Sequence, residues 1–232
     1  MKIGFFFYGI AYGPGKGGER DFHHCWPNIK NMLVDPFITQ GHDVKLYFST
    51  YPFPSDDIRQ EFNSLIGPNE IYYSNTEGSD AFTNKFATFN LIENADVDVV
   101  IISRIDVHYS KVIAVEPYDF DKFNFLFSEE NWWYNHRFTC DNFYMFPKHM
   151  TESVKKAMQE TYCYPRGYPY VDTHGLFDKI ANYIPVTDMN FISKTHETSD
   201  VNSFYTCCRA GLPEDGRGGH IHIEVKERYG YK

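Results

Sequence analysis

One short run of polar residues has the composition of a binding or catalytic site. Arg104, Asp106 and His108 occupy alternate positions directly after the apolar segment 97–102. In an extended chain alternate side chains point to the same side, so we expect the three to share one face. A carboxylate and an imidazole at this spacing can both ligate a divalent metal, and a guanidinium beside them suits a phosphate group. A salt bridge between Arg104 and Asp106 at a strand end would explain the same pattern without a ligand.

The segment before this run is predicted to be a strand buried on both faces. Residues 97–102 are nearly all β-branched and show no alternation of apolar and polar positions. Apolar segments at 2–8 and 43–48 predict two further strands, and apolar residues at spacings of three and four predict helices over 21–37 and 80–95. We therefore predict an α/β fold with a mostly parallel, Rossmann-like central sheet flanked by helices. Ligands of open α/β sheets bind outside the carboxyl ends of the strands, which is where the polar run falls.

The glycines after the first predicted strand raise the question of a dinucleotide site. Gly13, Gly15 and Gly18 satisfy the spacing G-x-G-x-x-G. The second predicted strand, however, ends in Phe-Ser-Thr at 48–50 without the acidic residue that would bind a ribose, and Pro14 interrupts the glycine-rich segment. A phosphate-binding P-loop fails as well, because the lysine of this segment is followed by glycine instead of serine or threonine. The pattern disfavours a nicotinamide enzyme, and a simple connecting loop is the alternative.

The composition is that of a folded domain with an excess of negative charge. The 232 residues are 42% hydrophobic and 18% aromatic, which is enough apolar surface to form a core. The formal net charge of −9 disfavours sequence-independent binding to nucleic acid, because such binding depends on Lys and Arg neutralising phosphates. No segment has the run of about eighteen apolar residues that a membrane span needs, and the start lacks the pattern of a signal peptide. We therefore expect a cytoplasmic protein with no membrane span and no nucleic-acid partner.

Four segments of the chain resemble the small GT-A-type glycosyltransferases, which use nucleotide sugars. They are 2–9 together with Arg20, 43–51, 99–107 and 140–147. In the third segment an R-x-D sequence stands where other GT-A enzymes carry D-x-D, and in the fourth an aspartate precedes an apolar strand. The resemblance covers residues 1 to about 160, and it looks closest to the small glycosyltransferases encoded by large algal viruses.

The resemblance implies a fold, a reaction and a location. The fold would be a single GT-A-like domain over 1–232, with a nucleotide-sugar-binding half at 1–110 and an acceptor-binding half at 111–232. Such an enzyme moves a sugar from a UDP-, GDP- or dTDP-sugar donor to a glycan or glycoprotein acceptor. A viral enzyme of this kind would act in the host cytoplasm.

The resemblance also implies where the donor and a divalent metal would bind. Mn²⁺ or Mg²⁺ would be held by Asp106. Because Arg104 replaces the first carboxylate of the metal motif, histidines become the further candidate ligands, namely His108, His220 and His222. The donor-binding residues would be Gly9, Arg20, Thr50, Tyr51, Arg104 and Asp106. A strand-end carboxylate that faces solvent contributes little to the core, so we expect Asp106→Asn to abolish metal-stimulated transfer and to leave the fold intact.

The candidate catalytic and acceptor-binding residues lie in the second half of the chain. An inverting transferase needs a carboxylate that deprotonates the acceptor hydroxyl. The first candidate for this base is Asp141, and the second choice is Glu129 or Glu130. Trp132 and Trp133 are candidate acceptor-binding residues, because aromatic rings cover the apolar face of a sugar. Asp141 could equally cap a turn or bind the donor sugar, and the tryptophans could belong to the core.

Three other functions share some of these features. The aromatic content would also suit a carbohydrate-binding module without catalysis. The sequence His-Ile-His at 220–222 would suit a metal-dependent phosphohydrolase, although hydrolases of that kind gather several carboxylates and histidines at successive strand ends. Segments 17–20 and 41–44 resemble the start of GT-B enzymes, but those need two Rossmann-like domains, and 232 residues are too few.

Overall fold

The structure is a computed structural model that describes residues 1–15, 18–68, 70–73, 81–131, 136–139, 142–162, 176–193 and 205–207. The described strands are β1 (Lys2–Tyr8), β2 (Tyr12–Gly15), β3 (Gly18–Asp21), β4 (Asp43–Thr50), β5 (Glu70–Tyr73), β6 (Val99–Arg104), β7 (Val107–Tyr109), β8 (Phe123–Asn131), β9 (His136–Thr139), β10 (Phe143–Pro147), β11 (Met189–Ser193) and β12 (Tyr205–Cys207). The described α-helices are α1 (Phe22–Ile29), α2 (Asp35–Thr39), α3 (Asp56–Ile66), α4 (Ala81–Asn94), α5 (Thr151–Tyr162) and α6 (Leu176–Ile180). Short 3₁₀ helices cover Ile113–Val115, Lys148–Met150 and Val186–Asp188.

The central sheet contains eight of the described strands. Its order is β11-β8-β10-β6-β1-β4-β5, and β9 pairs with β8 outside this path. Strand β1 is parallel to both of its neighbours, β4 and β6, and β5 is parallel to β4. Strand β10 is antiparallel to β6 and to β8, while β11 is parallel to β8. The sheet is therefore mostly parallel, as the unbroken apolar runs of β1 and β6 predict.

In the parallel part of the sheet, strands are added first on one side of β1 and then on the other. The chain places β4 and then β5 on one side of β1, and it then crosses back to place β6 on the other side. This is the arrangement of a mononucleotide-binding α/β unit, and the point between β1 and β6 is its topological switch point. A crevice for a ligand is expected there, outside the carboxyl ends of these two strands.

Helices cover both faces of the sheet. On one face the buried side chains of α1, the helical stretch after it and α3 pack in one cluster with β1, β4 and β6, with Trp26, Leu33 and Phe62 as members. On the other face α4, α5 and α6 form a second cluster, to which Phe89 and Val154 belong. The predicted α/β fold with a Rossmann-like, mostly parallel central sheet flanked by helices is confirmed. No described helix is long and apolar enough to cross a membrane.

The predicted helix over 21–37 is present with one irregularity. It begins after Asp21, whose side chain accepts a hydrogen bond from the backbone N–H of His23 and so caps α1. Between α1 and α2 the chain forms a π-helical stretch, Lys30–Val34. This stretch lies directly before Pro36, which has no N–H to donate and whose ring crowds the carbonyl four residues earlier. The wider turn accommodates the proline without ending the helix.

The glycine-rich segment is a hairpin, not the simple connecting loop that was the alternative for it. Strands β2 and β3 pair antiparallel, with Gly13 opposite Arg20 and Gly15 opposite Gly18. Gly13 has a φ of +110°, a conformation that favours glycine. The hairpin is followed directly by α1, so the two elements together fix the position of Arg20 beside the sheet.

Candidate functional site

The carboxyl ends of β1 and β6 meet at the switch point. Tyr8 and Arg104 are register partners at the ends of the two strands, and the N–H of Ile105 donates to the carbonyl of Tyr8 at 3.0 Å. Directly after Tyr8, Gly9 turns the chain with a φ of +115°, and its N–H donates to the Ser49 carbonyl at 3.1 Å. The glycine is required at this position because other residues rarely adopt such a φ. The turn at Gly9 thus lies beside the end of β6.

The predicted polar run does not form one continuous strand. Strand β6 ends at Arg104, Ile105 and Asp106 form a bend, and β7 begins at the next residue. The cause is on the α1 side: the Asn28 amide donates to the Tyr109 carbonyl at 3.0 Å and accepts from the Tyr109 N–H at 2.6 Å. These bonds draw β7 out of the central sheet into a separate pair with β12. The expectation of one extended strand through Arg104, Asp106 and His108 is therefore wrong, and His108 lies half-buried on β7.

Asp106 is held between two arginines. Its Oδ2 accepts from Arg20 Nε at 2.7 Å and from Arg104 Nη2 at 2.5 Å, and its Oδ1 accepts from Arg104 Nε at 2.7 Å. The side chains of Arg20 and Asp106 are only 5% and 4% exposed, and that of Arg104 is 13% exposed. The salt bridge between Arg104 and Asp106 that the sequence left open is thus present, and Arg20 joins it from 86 residues away. The expectation that Asp106 faces solvent is wrong, because the bend turns its carboxylate inward onto Arg20.

Local structure fixes both arginines. Arg20 is the residue before Asp21, the cap of α1, so the hairpin and the helix start both hold its backbone. Arg104 ends β6, where its N–H donates to the Asn142 carbonyl at 3.1 Å, and its Nη1 lies 3.5 Å from Asn142 Oδ1. The group of Arg20, Asp106 and Arg104, here called the arginine–aspartate cluster, therefore presents two fixed guanidinium groups with one net positive charge.

The charges of the cluster control the ionisation of Asp106. Burial alone would raise the pKa of this carboxyl, but the charge of Arg104, the hydrogen bonds from Arg104, and then Arg20 outweigh burial and hold the pKa below its usual value. A carboxyl whose folded pKa is lowered contributes stability above its unfolded pKa, about 3.9. That contribution is lost as the pH falls through the folded pKa.

A pH titration checks this contribution. The difference in unfolding free energy between wild type and Asp106→Asn should be constant from neutral pH to about pH 5 and should shrink progressively below about pH 4. Chemical denaturation of both proteins at each pH measures the difference. A difference that stays constant down to pH 2 would show that Asp106 is not held ionised by the arginines.

The surroundings of Asp106 do not fit a divalent cation. Both carboxylate oxygens already accept from guanidinium groups, so a cation there would displace a charged donor and lie beside two arginines. In the ranges that the structure describes, no three His, Cys, Asp or Glu side chains form a group that could hold a metal. His220 and His222 lie outside the described residues. The described residues therefore supply no ligand set for the predicted Mn²⁺ or Mg²⁺, and the metal stays a prediction.

The other predicted donor-binding residues lie at the same edge of the sheet. Thr50 ends β4, is buried, and its Oγ1 accepts from the Ala11 N–H at 3.1 Å, so it supports the chain after Gly9. Tyr51 follows it and is partly exposed. Gly9, Thr50 and Tyr51 therefore lie at the same edge of the sheet as the cluster. Gly9 and Thr50 also have structural roles, because Gly9 turns the chain and Thr50 bonds to the Ala11 N–H.

The predicted catalytic and acceptor-binding residues are mostly outside the described part of the chain. Asp141, Trp132 and Trp133 lie outside the described residues. Glu129 and Glu130 lie on β8, opposite Phe138 and Arg137 of β9, and their side chains are not among those described. Their roles stay predictions.

Sequence reasoning missed a buried polar group on α4. Asn84, Lys85 and Thr88 are 0%, 2% and 0% exposed, although the helix over 80–95 was predicted from the spacing of apolar residues, Phe82, Phe86, Phe89 and the pair Leu91 and Ile92. Of the two phenylalanines with described side chains, Phe89 is buried and Phe86 only partly so. The three polar residues at i, i+1 and i+4 were the available signal, because these positions share one face of a helix.

Comparisons with known proteins include a distant structural likeness. No family model matches the chain, and no curated protein matches its sequence. Among solved structures, the apo form of the glycosyltransferase GlyE from Streptococcus pneumoniae TIGR4 is similar at a TM-score of 0.44 and 11% sequence identity. The similarity covers 82% of this chain and 45% of that chain, so this chain spans less than half the length of GlyE. A likeness this distant does not identify a function.

Proposed function

We propose that this protein is a glycosyltransferase that moves a sugar from a nucleotide-sugar donor to a glycan or glycoprotein acceptor. The observation that carries the proposal is the arginine–aspartate cluster at the switch point between β1 and β6. The proposal also agrees with the resemblance of residues 1 to about 160 to the GT-A enzymes, in which the nucleotide lies at the ends of the first strands.

The cluster has the chemistry to bind a diphosphate. A guanidinium has five N–H donors in a planar fork, so it can hold a carboxylate and a phosphate at the same time. Here the carboxylate of Asp106 orients two guanidinium groups, and the three side chains together carry one net positive charge, which would attract an anion. Parallel α/β sheets bind nucleotides at this position, outside the carboxyl ends of the strands. The net charge of the chain is −9, so a local cationic site is needed to attract an anionic donor.

The reaction follows from these roles. As the bond between the sugar and the diphosphate breaks, negative charge grows on the leaving oxygen, and Arg20 and Arg104 stabilise it without having to reorient. On the other side of the sugar a carboxylate takes the proton of the acceptor hydroxyl, and Asp141 is the residue we propose for this role. Trp132 and Trp133 are proposed to hold the acceptor. Metal assistance is a separate proposal, with His220 and His222 as its remaining candidate ligands.

Ligand-induced stabilisation tests the proposal. A ligand that binds only the folded state raises its stability by about 2.7 kcal/mol at 100 times its Kd. We therefore expect UDP, GDP or dTDP, and the corresponding sugar nucleotide, to raise the melting temperature of the wild type by several degrees, measured with and without Mn²⁺. Arg104→Lys keeps the charge but loses the planar fork, so it should reduce the shift at equal ligand concentration.

The control for this substitution is Arg59→Lys, which changes an exposed arginine on α3 that pairs with Asp56. It should keep the full shift. If no nucleotide shifts the wild type at saturating concentration, the proposed function is wrong. Transfer of the sugar to an added glycan acceptor separates a transferase from a metal-dependent phosphohydrolase, whereas hydrolysis of the sugar nucleotide alone does not, because glycosyltransferases also hydrolyse their donors slowly. If the protein binds glycan alone, it is a carbohydrate-binding module.

A further inference from the structure

Among the described buried side chains of α4, the polar ones come before Phe89 and the apolar ones from Phe89 onward. Towards the carboxyl end of the helix Phe89 and Ile92 are fully buried, as expected for a core helix. Among the described side chains before Phe89, the fully or almost fully buried ones are those of Asn84, Lys85 and Thr88. Polar side chains are rarely buried to this degree unless they are paired or functional.

Two of the buried polar groups at this edge of the sheet lack hydrogen bonds. Both side-chain polar atoms of Asn84, Nδ2 and Oδ1, have no hydrogen-bond partner, and the same holds for Ser49 Oγ, in the part of the chain that the structure describes. Both residues are 0% exposed. Leaving a buried donor or acceptor unpaired costs about 1–3 kcal/mol. Such groups in a folded protein call for an explanation, and a ligand is one.

These groups lie on the α4 side of the switch point. Tyr47 packs in the cluster on the α4 face and Phe48 in the opposite cluster, so the alternation of β4 places Ser49 on the α4 face. Ser49 is the register partner of Tyr8, which is itself the partner of Arg104. Lys85, the neighbour of Asn84, has its Nζ 5.1 Å from the centre of the Tyr8 ring. Ser49 and Arg104 therefore lie on either side of Tyr8 in the sheet, and Asn84 is the neighbour in sequence of the lysine that reaches the Tyr8 ring.

We infer that Asn84 and Ser49 bind neighbouring hydroxyl groups of a sugar ring of the donor, an inference that rests on the proposed function. An amide both donates and accepts, and so does a hydroxyl, which makes them complementary to a vicinal diol. A phosphate group offers only acceptors, so it would leave Asn84 Oδ1 unpaired. The diol belongs either to the ribose of the nucleotide or to the transferred sugar. Both side chains are closed off from solvent, so the ligand reaches them only when the protein opens at this edge of the sheet.

The test compares wild type with Asn84→Leu, a substitution of similar shape without polar atoms. Removing an unpaired buried amide should raise the melting temperature of the ligand-free protein. Binding is then measured for UDP, 2′-deoxy-UDP and UDP-glucose, or for the guanosine series if the wild type prefers it; for dTDP, whose deoxyribose has no diol, only the contact with the transferred sugar is tested. A ribose contact predicts that Asn84→Leu loses the wild-type preference for the ribonucleotide over the deoxynucleotide by about tenfold or more. A contact with the transferred sugar predicts the same loss in the preference for the sugar nucleotide over the free diphosphate.

Two further variants make the result specific. Ser49→Ala should reduce the same preference as Asn84→Leu and keeps the test valid if the leucine variant does not fold. Thr88→Val is the matched control, because this hydroxyl is buried on the same helix face but donates to the Lys85 carbonyl at 2.5 Å. It should leave both preferences unchanged.

The outcomes separate the two proposals. If the wild type binds a nucleotide and both preferences survive in Asn84→Leu and Ser49→Ala, this inference is wrong and the proposed function stands. If the wild type binds no nucleotide, the proposed function is wrong and the inference falls with it.

Discussion

Asp106→Asn is expected to destabilise the protein by about 3–5 kcal/mol, because it removes the carboxylate from a buried ion-pair group and leaves two buried guanidinium charges facing a neutral amide. Arg20 loses a charge-assisted bond of 2.7 Å, and Arg104 loses a two-point bond of 2.7 and 2.5 Å. Removing one partner of a buried pair costs more than the pair contributes, since the remaining charge stays desolvated. Urea denaturation at pH 7, with the midpoint and slope compared between wild type and variant, measures the effect.

Asp96→Asn is the matched control for this prediction. Asp96 also forms an ion pair, with Lys2 at 2.6 Å, but its side chain is 74% exposed. Exposed pairs contribute little, so the midpoint should barely move. If Asp106→Asn moves the midpoint no more than Asp96→Asn does, the cluster is not a stabilising feature of the fold. The variant should also lose nucleotide binding, because it lacks the carboxylate that orients both guanidinium groups.

Asp141→Asn is expected to reduce the saturated rate of transfer by about two to four orders of magnitude with donor affinity nearly unchanged. The amide keeps the size and much of the hydrogen bonding of the carboxylate but cannot accept the acceptor's proton. The next residue along the chain, Asn142, contacts Arg104 through its backbone carbonyl and its side chain and so lies next to the cluster. Donor affinity, melting temperature and saturated rate are measured for the variant.

The three measurements distinguish three roles for Asp141. A general base predicts loss of rate alone, a donor-sugar ligand predicts weaker donor binding, and a turn cap predicts a lower melting temperature. Glu129→Gln and Glu130→Gln serve as comparisons, since these residues are the second choice for the base. A saturated rate within about threefold of wild type for Asp141→Asn would move the role to one of them.

The sequence predicts well those parts of the fold that depend on local pattern. The run of β-branched residues identifies β6 as a strand buried on both faces, and the first strand is observed over the predicted residues, Lys2–Tyr8. These predictions succeed because a strand inside a parallel sheet must be apolar throughout. The same patterns give the order of strands and helices and hence the α/β class.

The sequence predicts the site less well, because its decisive contacts join distant residues. Nothing in the neighbourhood of Arg20 shows that it bonds to Asp106, and nothing near Tyr109 shows that Asn28 holds it. The bend at Ile105 and Asp106 follows from the second of these contacts, so the alternation of a continuous strand does not extend from Arg104 to His108. On α4 Phe82, Phe86 and Phe89 are spaced by four and three residues and so share one side of the helix, and this period did not reveal that Asn84 and Lys85 face the sheet.

The bond between Arg20 and Asp106 has a consequence for folding on the ribosome. Arg20 is synthesised early, but its carboxylate partner follows 86 residues later, which at about 5–20 residues per second is a delay of about 4–17 seconds. Until then the hairpin that carries Arg20 lacks its ionic anchor, and the edge of β1 that will pair with β6 stays open. The N-terminal part of the nascent chain can pair β1 with β4. It cannot complete the cationic site until β6 and Asp106 have been synthesised and β6 has paired with β1.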